Sequence, residues 1–171
     1  NKLRFSAAVT GTEVRVTDCS NVQTTVFAAA LVNSAVSMTG AVTYSLATTF
    51  SGTITNSAVH LSDGTFQVSP TFAGTIAGTN FTLADVVMPN ALVFPTSGAD
   101  VNINITGSSL GTIGLIGSVL SFPNAADNVR LAIADSTLTT WRSVPAVIAF
   151  GGTATDCSVA VERVYVHEHD G

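Results

Sequence analysis

The sequence predicts an all-β protein: a single antiparallel β-sandwich, jelly-roll or Ig-like, over residues 1–171, with at most one or two short helices. Three observations carry that expectation. Apolar and polar residues alternate with period two along several segments, as in strands with one buried face. Gly-Thr, Asp-Gly and Pro punctuate short β-branched runs at intervals of about ten residues, the spacing of sandwiches and barrels. The 171-residue chain can also bury about two-thirds of its unfolded surface, enough for one core.

In chain order, the first strand puts Leu3, Phe5, Ala7 and Val9 on one face and Lys2, Arg4, Ser6 and Ala8 on the other. Beyond Gly11-Thr12, Val14 and Val16 continue it towards Cys19. Residues 24–36 contain Ala28-Ala29-Ala30-Leu31, good helix formers, and make a first helix candidate. Ser62-Asp63-Gly64-Thr65 reads as a hairpin, because Asp-Gly supplies the positive φ of a type I′ turn. Val101, Ile103 and Ile105 alternate with Asn102 and Asn104 in the cleanest half-buried strand. Residues 124–135 are the second helix candidate, with Asn124 as N-cap and Asp127 in the first turn, although Val129, Leu131 and Ile133 alternate. Pro70, Pro89, Pro95 and Pro123 mark strand edges or loops. Near the end, Val159 and Val161 alternate until Glu162-Arg163, where the phase slips and Val164 and Val166 take the other parity. A β-bulge or a strand crossing between sheets would produce that slip.

An internal repeat is also visible. Phe50-Ser51-Gly52-Thr53-Ile54 through Asp63 aligns without gaps on Phe72-Ala73-Gly74-Thr75-Ile76 through Asp85, at an offset of 22, and Gly111-Thr112-Ile113 echoes it. A stacked array needs about three or more units. Two copies point instead to successive hairpins of similar length.

Composition narrows the function classes. Apolar residues make up 46% of the chain and charged residues 10%, against an ordinary charged share of about 25%. The polar surface is therefore built from Thr, Ser, Asn and Gly, which suits extracellular life, close packing of copies, or a glycan coat. Six scattered basic residues against eleven acids form no basic stripe, which argues against nucleic acid. The longest apolar run, residues 26–32, is too short to span a membrane. A chain that starts at Asn1 is read either as a mature form from which a leader has been removed or as a trimmed piece.

Cys19 and Cys157 stand in Thr17-Asp18-Cys19-Ser20 and Thr155-Asp156-Cys157-Ser158. Neither has a neighbouring His or a Cys-x-x-Cys partner, so a disulfide closing the two ends is the expectation, worth about 4–5 kcal/mol in the chain-entropy view. It implies an extracellular or cell-surface location.

Catalytic material is sparse. His60, His167 and His169 are the only histidines, and no Gly-x-Ser-x-Gly elbow is present. No catalytic residue is assigned, no enzyme activity is expected and no cofactor is implied. His167 and His169 would share one strand face as weak metal candidates, with His60 or Asp170 needed to complete a site. Asn80-Phe81-Thr82 and Asn104-Ile105-Thr106 are N-glycosylation sequons, Asn104 being on the outward parity of its strand. Trp141, Tyr44 and Tyr165 are the only Trp and Tyr, few for a sugar platform.

These observations favour a secreted structural protein, a self-assembling subunit of a filament, surface layer or virion whose partners are copies of itself. Residues 1–17, through Leu3, Phe5, Ala7 and Val9, would serve as the assembly strand by adding to a neighbour's sheet edge. At the level of pattern this is similar to donor-strand-assembled pilins, although none of their signature motifs is present. An extracellular module binding carbohydrate or a surface protein is the first alternative, and a carboxylate-dependent hydrolase the second.

Overall fold

The computed structural model describes residues 2–18, 24–44, 48–94, 98–111, 118–141 and 146–169, with the side chains of Ala41, Val42, Tyr44, Trp141 and His169 left out. Within them the chain winds through seven successive coils. The first holds β1 (Lys2–Phe5), β2 (Val9–Thr10) and β3 (Glu13–Thr17), and the second β4 (Thr24–Phe27), β5 (Leu31–Val32) and the long β6 (Ala35–Tyr44). The third has β7 (Thr48–Phe50), β8 (Ile54–Thr55) and the long β9 (Ala58–Phe66). The fourth has β10 (Thr71–Phe72), β11 (Ile76–Ala77), β12 (Asn80–Ala84) and β13 (Val87–Met88). The fifth has β14 (Leu92–Val93), β15 (Gly98–Ala99), β16 (Asn102–Thr106) and β17 (Ser109–Gly111). The sixth has β18 (Leu120–Phe122), β19 (Ala126–Asp127), β20 (Arg130–Ala134) and β21 (Thr137–Trp141). The seventh has β22 (Ile148–Phe150), β23 (Ala154–Thr155), β24 (Ser158–Glu162) and β25 (Tyr165–His169).

No strand pairs with its neighbour in the same coil. Each pairs with its counterpart one coil away, and every pairing among the described residues is parallel. One face is β1-β4-β7-β10, continued by β14-β18-β22; a second is β2-β5-β8-β11-β15-β19-β23. The largest sheet is curled: its nine-strand path runs β24-β20-β16-β12-β9-β13-β17-β21-β25, with β9 turning the corner because its two halves pair with β12 and β13. This overturns the antiparallel sandwich. Alternation and regular turn signals are common to both architectures, but here the turns are corners that bend the chain without reversing it.

Stacking in register puts like on like. Phe5, Phe27, Phe50, Phe72, Phe94, Phe122 and Phe150 form one continuous aromatic column, neighbouring rings stacked 4.7–5.2 Å apart. Those distances match the ~4.7–4.9 Å spacing of hydrogen-bonded strands. A second inward column runs Val14, Val36, Val59, Phe81, Ile103, Leu131, Val159. The intervals between coils are 22, 23 or 28 residues, the longer ones adding residues between Gly111 and Leu120 and between Trp141 and Ile148. The offset of 22 is thus one full coil rather than a pair of hairpins.

Two ladders of left-handed residues make the corners. Gly11, Asn33, Asn56, Gly78, Asp100, Asn128 and Asp156 occupy one; Asp18, Gly40, Asp63, Asp85, Gly107, Asp135 and Arg163 the other. All fourteen have φ between 46° and 114°, and among the described residues they account for every positive φ. Gly, Asn and Asp tolerate this region at least cost. At one corner in several coils the next residue, a Ser or Thr, then staples it. Ser57 Oγ donates to Thr55 O (2.8 Å) and Leu31 O (3.3 Å), and Ser34 N donates to Ser57 Oγ (3.2 Å). Thr79, Ser108 and Ser136 likewise donate to the carbonyl two residues back.

These corners correct several expectations. Asp63 has the predicted positive φ of 55°, but β9 bends there and continues without reversing. Arg163, at φ 49°, is the cause of the phase slip: it is a corner, neither bulge nor sheet crossing. Both helix candidates are strands and corners. Residues 24–36 contain β4, β5 and the start of β6, and residues 124–135 contain β19 and β20 with Leu131 and Ile133 buried. Alternation outweighed helix propensity there because the inward column needs one apolar residue in two.

The end-to-end disulfide is corrected as well. Asp18 lies in the first coil and Cys157 in the seventh, six coil spacings apart, about 29 Å along the stack. A disulfide tolerates Cα atoms only to about 7 Å. Cys19 lies outside the described residues; Cys157 is a free thiol. Its Sγ donates to Thr155 O (3.3 Å) and Ala126 O (3.5 Å), the same pattern as Ser57, which donates within its own coil and to the coil before. The repeated Thr-Asp-Cys-Ser therefore marks corners, with a left-handed Asp at Asp18 and Asp156, and Cys157 takes the stapling position of the second. Cys157→Ser should change stability by less than about 0.5 kcal/mol, and reductant should leave the melting temperature unmoved. A loss of several degrees with reductant would restore the disulfide.

Candidate functional site

The corner ladders account for much of the chain's acid. Six of its eight Asp, at positions 18, 63, 85, 100, 135 and 156, hold positive-φ corners. Their spacing along the stack spreads carboxylates out instead of converging them, and no group of three or more His, Cys, Asp or Glu suited to a metal occurs among the described residues. His60 lies half-buried on the outer face of β9, in register with Ser37 and Thr82. His167 is exposed on β25, its ring 6.2 Å from Tyr165; the side chain of His169 and all of Asp170 lie outside the described residues. The structure thus keeps His60 and His167 in different coils, the third and the seventh.

Asn80 and Asn104 are both exposed on the outer face of the curled sheet, in β12 and β16. Asn102 Nδ2 donates to Asn80 Oδ1 (2.9 Å), while Asn104 stands in register with Thr82 and Ala132. Beside them, an open polar groove of about 520 Å³ follows the first corner ladder across the first four coils, lined by Thr12, Glu13, Asn33, Asn56, Ser57 and Asn80. The Trp141 side chain, around which an aromatic patch would centre, lies outside the described residues.

One corner carries an ion-pair cluster. Arg163 Nε and Nη2 donate to the two Asp135 carboxylate oxygens at 2.5 and 2.9 Å, and Nη1 meets Glu162. The hydrogen bonds from Arg163, helped by its charge, hold the Asp135 carboxyl below the ordinary Asp value against the opposing effect of burial. With the folded pKa depressed, the pair's contribution is complete above the unfolded-state pKa and is lost as pH falls through the folded one. Both side chains are more than half exposed, so the contribution is screened and small. Arg163→Gln should flatten the acid side of the melting-temperature profile while leaving its neutral side nearly unchanged. Parallel profiles down to about pH 2 would show that the pair is inert.

The largest anomaly is at the end of the stack. Leu131 and Ile133 are buried, but their register partners Val159 and Val161 are 46% and 56% exposed. Leu138 is buried and its partner Val166 is 45% exposed. These valines face inward, and the described structure has no further coil to cover them. At the other end Leu3, Phe5, Val9 and Val14 are half-buried, although Phe27, Leu31 and Val36 above them are 1% exposed. Each end also leaves one side of its strands without a partner in the described sheets. The residues named for an assembly strand therefore divide: Leu3, Phe5 and Val9 belong to the open face of the first coil, and Ala7 is an exposed corner residue. Sequence reasoning missed Val159, Val161 and Val166 as a surface, since their pattern is that of any buried strand.

Coil stacked on parallel coil around an aromatic column defines the class of fold, a parallel β-solenoid. No family model, no curated protein and no solved structure matches this chain. Among the described residues no helix is long and apolar enough to cross a membrane.

Proposed function

We propose that this chain is a structural, self-associating module of an extracellular or cell-surface assembly. A surface with only 10% charged residues, wrapped around a stack of parallel coils, carries the reading. A solenoid repeat cannot bury its apolar face alone and is completed by a neighbour. The surface of Thr, Ser, Asn and Gly with little charge offers weak repulsion to close neighbours. Donation of residues 1–17 as a free strand is not part of this reading, because β1 and β3 already pair with β4 and β6 of their own chain.

Light scattering over a concentration series, with negative-stain microscopy, tests the proposal. Concentration-dependent rods or short stacks are expected; a monodisperse monomer at every concentration rejects it. The polar groove beside Asn33, Asn56 and Asn80 supports a second reading, an extracellular carbohydrate-binding module. Binding of neutral oligosaccharides by a monomer, lost on Asn56→Trp in the groove, would favour that reading instead.

A further inference from the structure

We infer that the polar groove along the first corner ladder binds a short neutral saccharide, held by the Asn33 and Asn56 side-chain amides over a floor of Ala35 and Ala58. The inference rests on the carbohydrate-binding reading of this groove, to which it adds the residues that hold the ligand and the class of sugar they accept.

Register explains why a groove lies there. Gly11, Asn33, Asn56 and Gly78 hold the same left-handed corner in four successive coils. Beside them Glu13, Ala35, Ala58 and Asn80 stand in register on the outer face. The two central members are single methyl groups, so the surface sinks between Glu13 and Asn80 into the trough of about 520 Å³. That volume lies within the ordinary range of small-molecule sites. Beyond Asn80 larger groups take over. The outer column continues with Asn102 and Arg130, and Asn128 Nδ2 donates to Asp100 Oδ1 along the ladder.

Hydrogen bonding supplies the chemical argument. Asp100 and Asn128 satisfy each other, whereas the Asn33 and Asn56 side-chain amides have no hydrogen-bond partner among the described residues. Each amide offers two donors and an acceptor oxygen, and adjacent coils set the two amides about 4.8 Å apart, a spacing suited to neighbouring hydroxyls of a sugar. Asn80 Oδ1 accepts from Asn102 Nδ2 (2.9 Å), which leaves the Asn80 amide hydrogens to donate into the trough. Glu13 Oε1 accepts from Arg15 Nε (2.6 Å), and its second oxygen can accept from a hydroxyl. The methyls of Ala35 and Ala58 meet the C–H face of the ring. No basic residue among those described lines the trough, so an anionic sugar would find a carboxylate and no counter-charge.

The ladder itself suggests the test. Asn33→Gly with Asn56→Gly removes both amides and keeps the left-handed corners, as glycine already does at Gly11 and Gly78. Ala58→Gln blocks the floor by an independent route, and circular dichroism melts confirm that each variant is folded. The 171-residue chain is titrated calorimetrically with short gluco-, manno-, galacto- and xylo-oligosaccharides, and with oligogalacturonate as the anionic counterpart. At least one neutral series should bind, about tenfold or more weakly in the double glycine variant and in Ala58→Gln. Asn104→Ala, on the outer face away from the trough, should bind as the native chain does. If a neutral sugar binds the native chain and both groove variants equally, the carbohydrate-binding reading stands and this groove is not its site. Tighter binding of oligogalacturonate than of every neutral series would overturn the ligand class. If none of these sugars binds, the inference and the carbohydrate-binding reading fall together.

Discussion

Phe50→Ala is expected to lower stability by about 3–5 kcal/mol, the range for emptying a fully buried phenylalanine site. Phe50 is 1% exposed and lies between Phe27 and Phe72, with ring centroids 4.8 and 5.2 Å away and interplanar angles of 1° and 15°. Each stacked contact adds about 0.5–1.5 kcal/mol beyond the area it buries. Removing the ring also leaves a cavity between coils that cannot close, because backbone ladders hold both neighbours at strand spacing. Phe150 provides the internal control: it is only partly buried and, among the described residues, stacks on Phe122 alone. Phe150→Ala should cost about half as much, whereas Phe50→Leu should stay within about 1.5 kcal/mol. Stability in a stacked array is nearly a sum of coil and interface contributions, so Phe50→Ala should also loosen coupling between the first two coils and the rest. Urea unfolding followed by circular dichroism would show a lower midpoint and a broader transition. Equal losses at Phe50 and Phe150 would mean that the column does not hold the stack together.

Legibility in the sequence followed the range of the interaction. All-β character depends on neighbours two residues apart, and the alternation of Val101, Ile103 and Ile105 displays it directly. Strand direction depends on partners 22 to 28 residues away, where only the repeat gives a signal. The repeat was visible at Phe50 and Phe72, but the column also includes Phe5, Phe27, Phe94, Phe122 and Phe150, where the surrounding residues diverge. Solenoids tolerate that divergence, because a coil must supply an inward residue, a left-handed corner and a staple without repeating the types that fill them. Asn56, Gly78 and Asp100 are one structural position written three ways. The same degeneracy made the two Thr-Asp-Cys-Ser segments look like a matched pair, although they occupy different corners at opposite ends of the stack. The candidate site was less legible still, since whether Val159 is core or surface is decided by the coil above it.

Gly74→Ala isolates the coil-on-coil approach that the fold requires, and it should reverse the usual sign of that substitution. Where backbone geometry permits, Gly→Ala stabilises by about 0.4–1 kcal/mol through the unfolded chain. At Gly74 the new Cβ would lie 2.3 Å from Gly52 O and 2.4 Å from Gly52 C, and at Gly52 it would lie 2.3 Å from Ala29 C. These obstacles are backbone atoms of the coil below, which cannot rotate away as a side-chain tip can. Relief requires two coils to part at the corner between β10 and β11, straining the bond from Ile54 N to Thr75 O (2.9 Å). Gly74→Ala should therefore cost about 3 kcal/mol, at the upper end of ordinary overpacking. Gly11 separates this from conformational freedom: its φ is +59°, yet a Cβ there meets nothing within 4 Å. Gly11→Ala should cost only the left-handed penalty, about 1–2 kcal/mol. A melt in which Gly11→Ala is the more damaging of the two would show that the corners, rather than the close approach of stacked backbones, set the spacing of the coils.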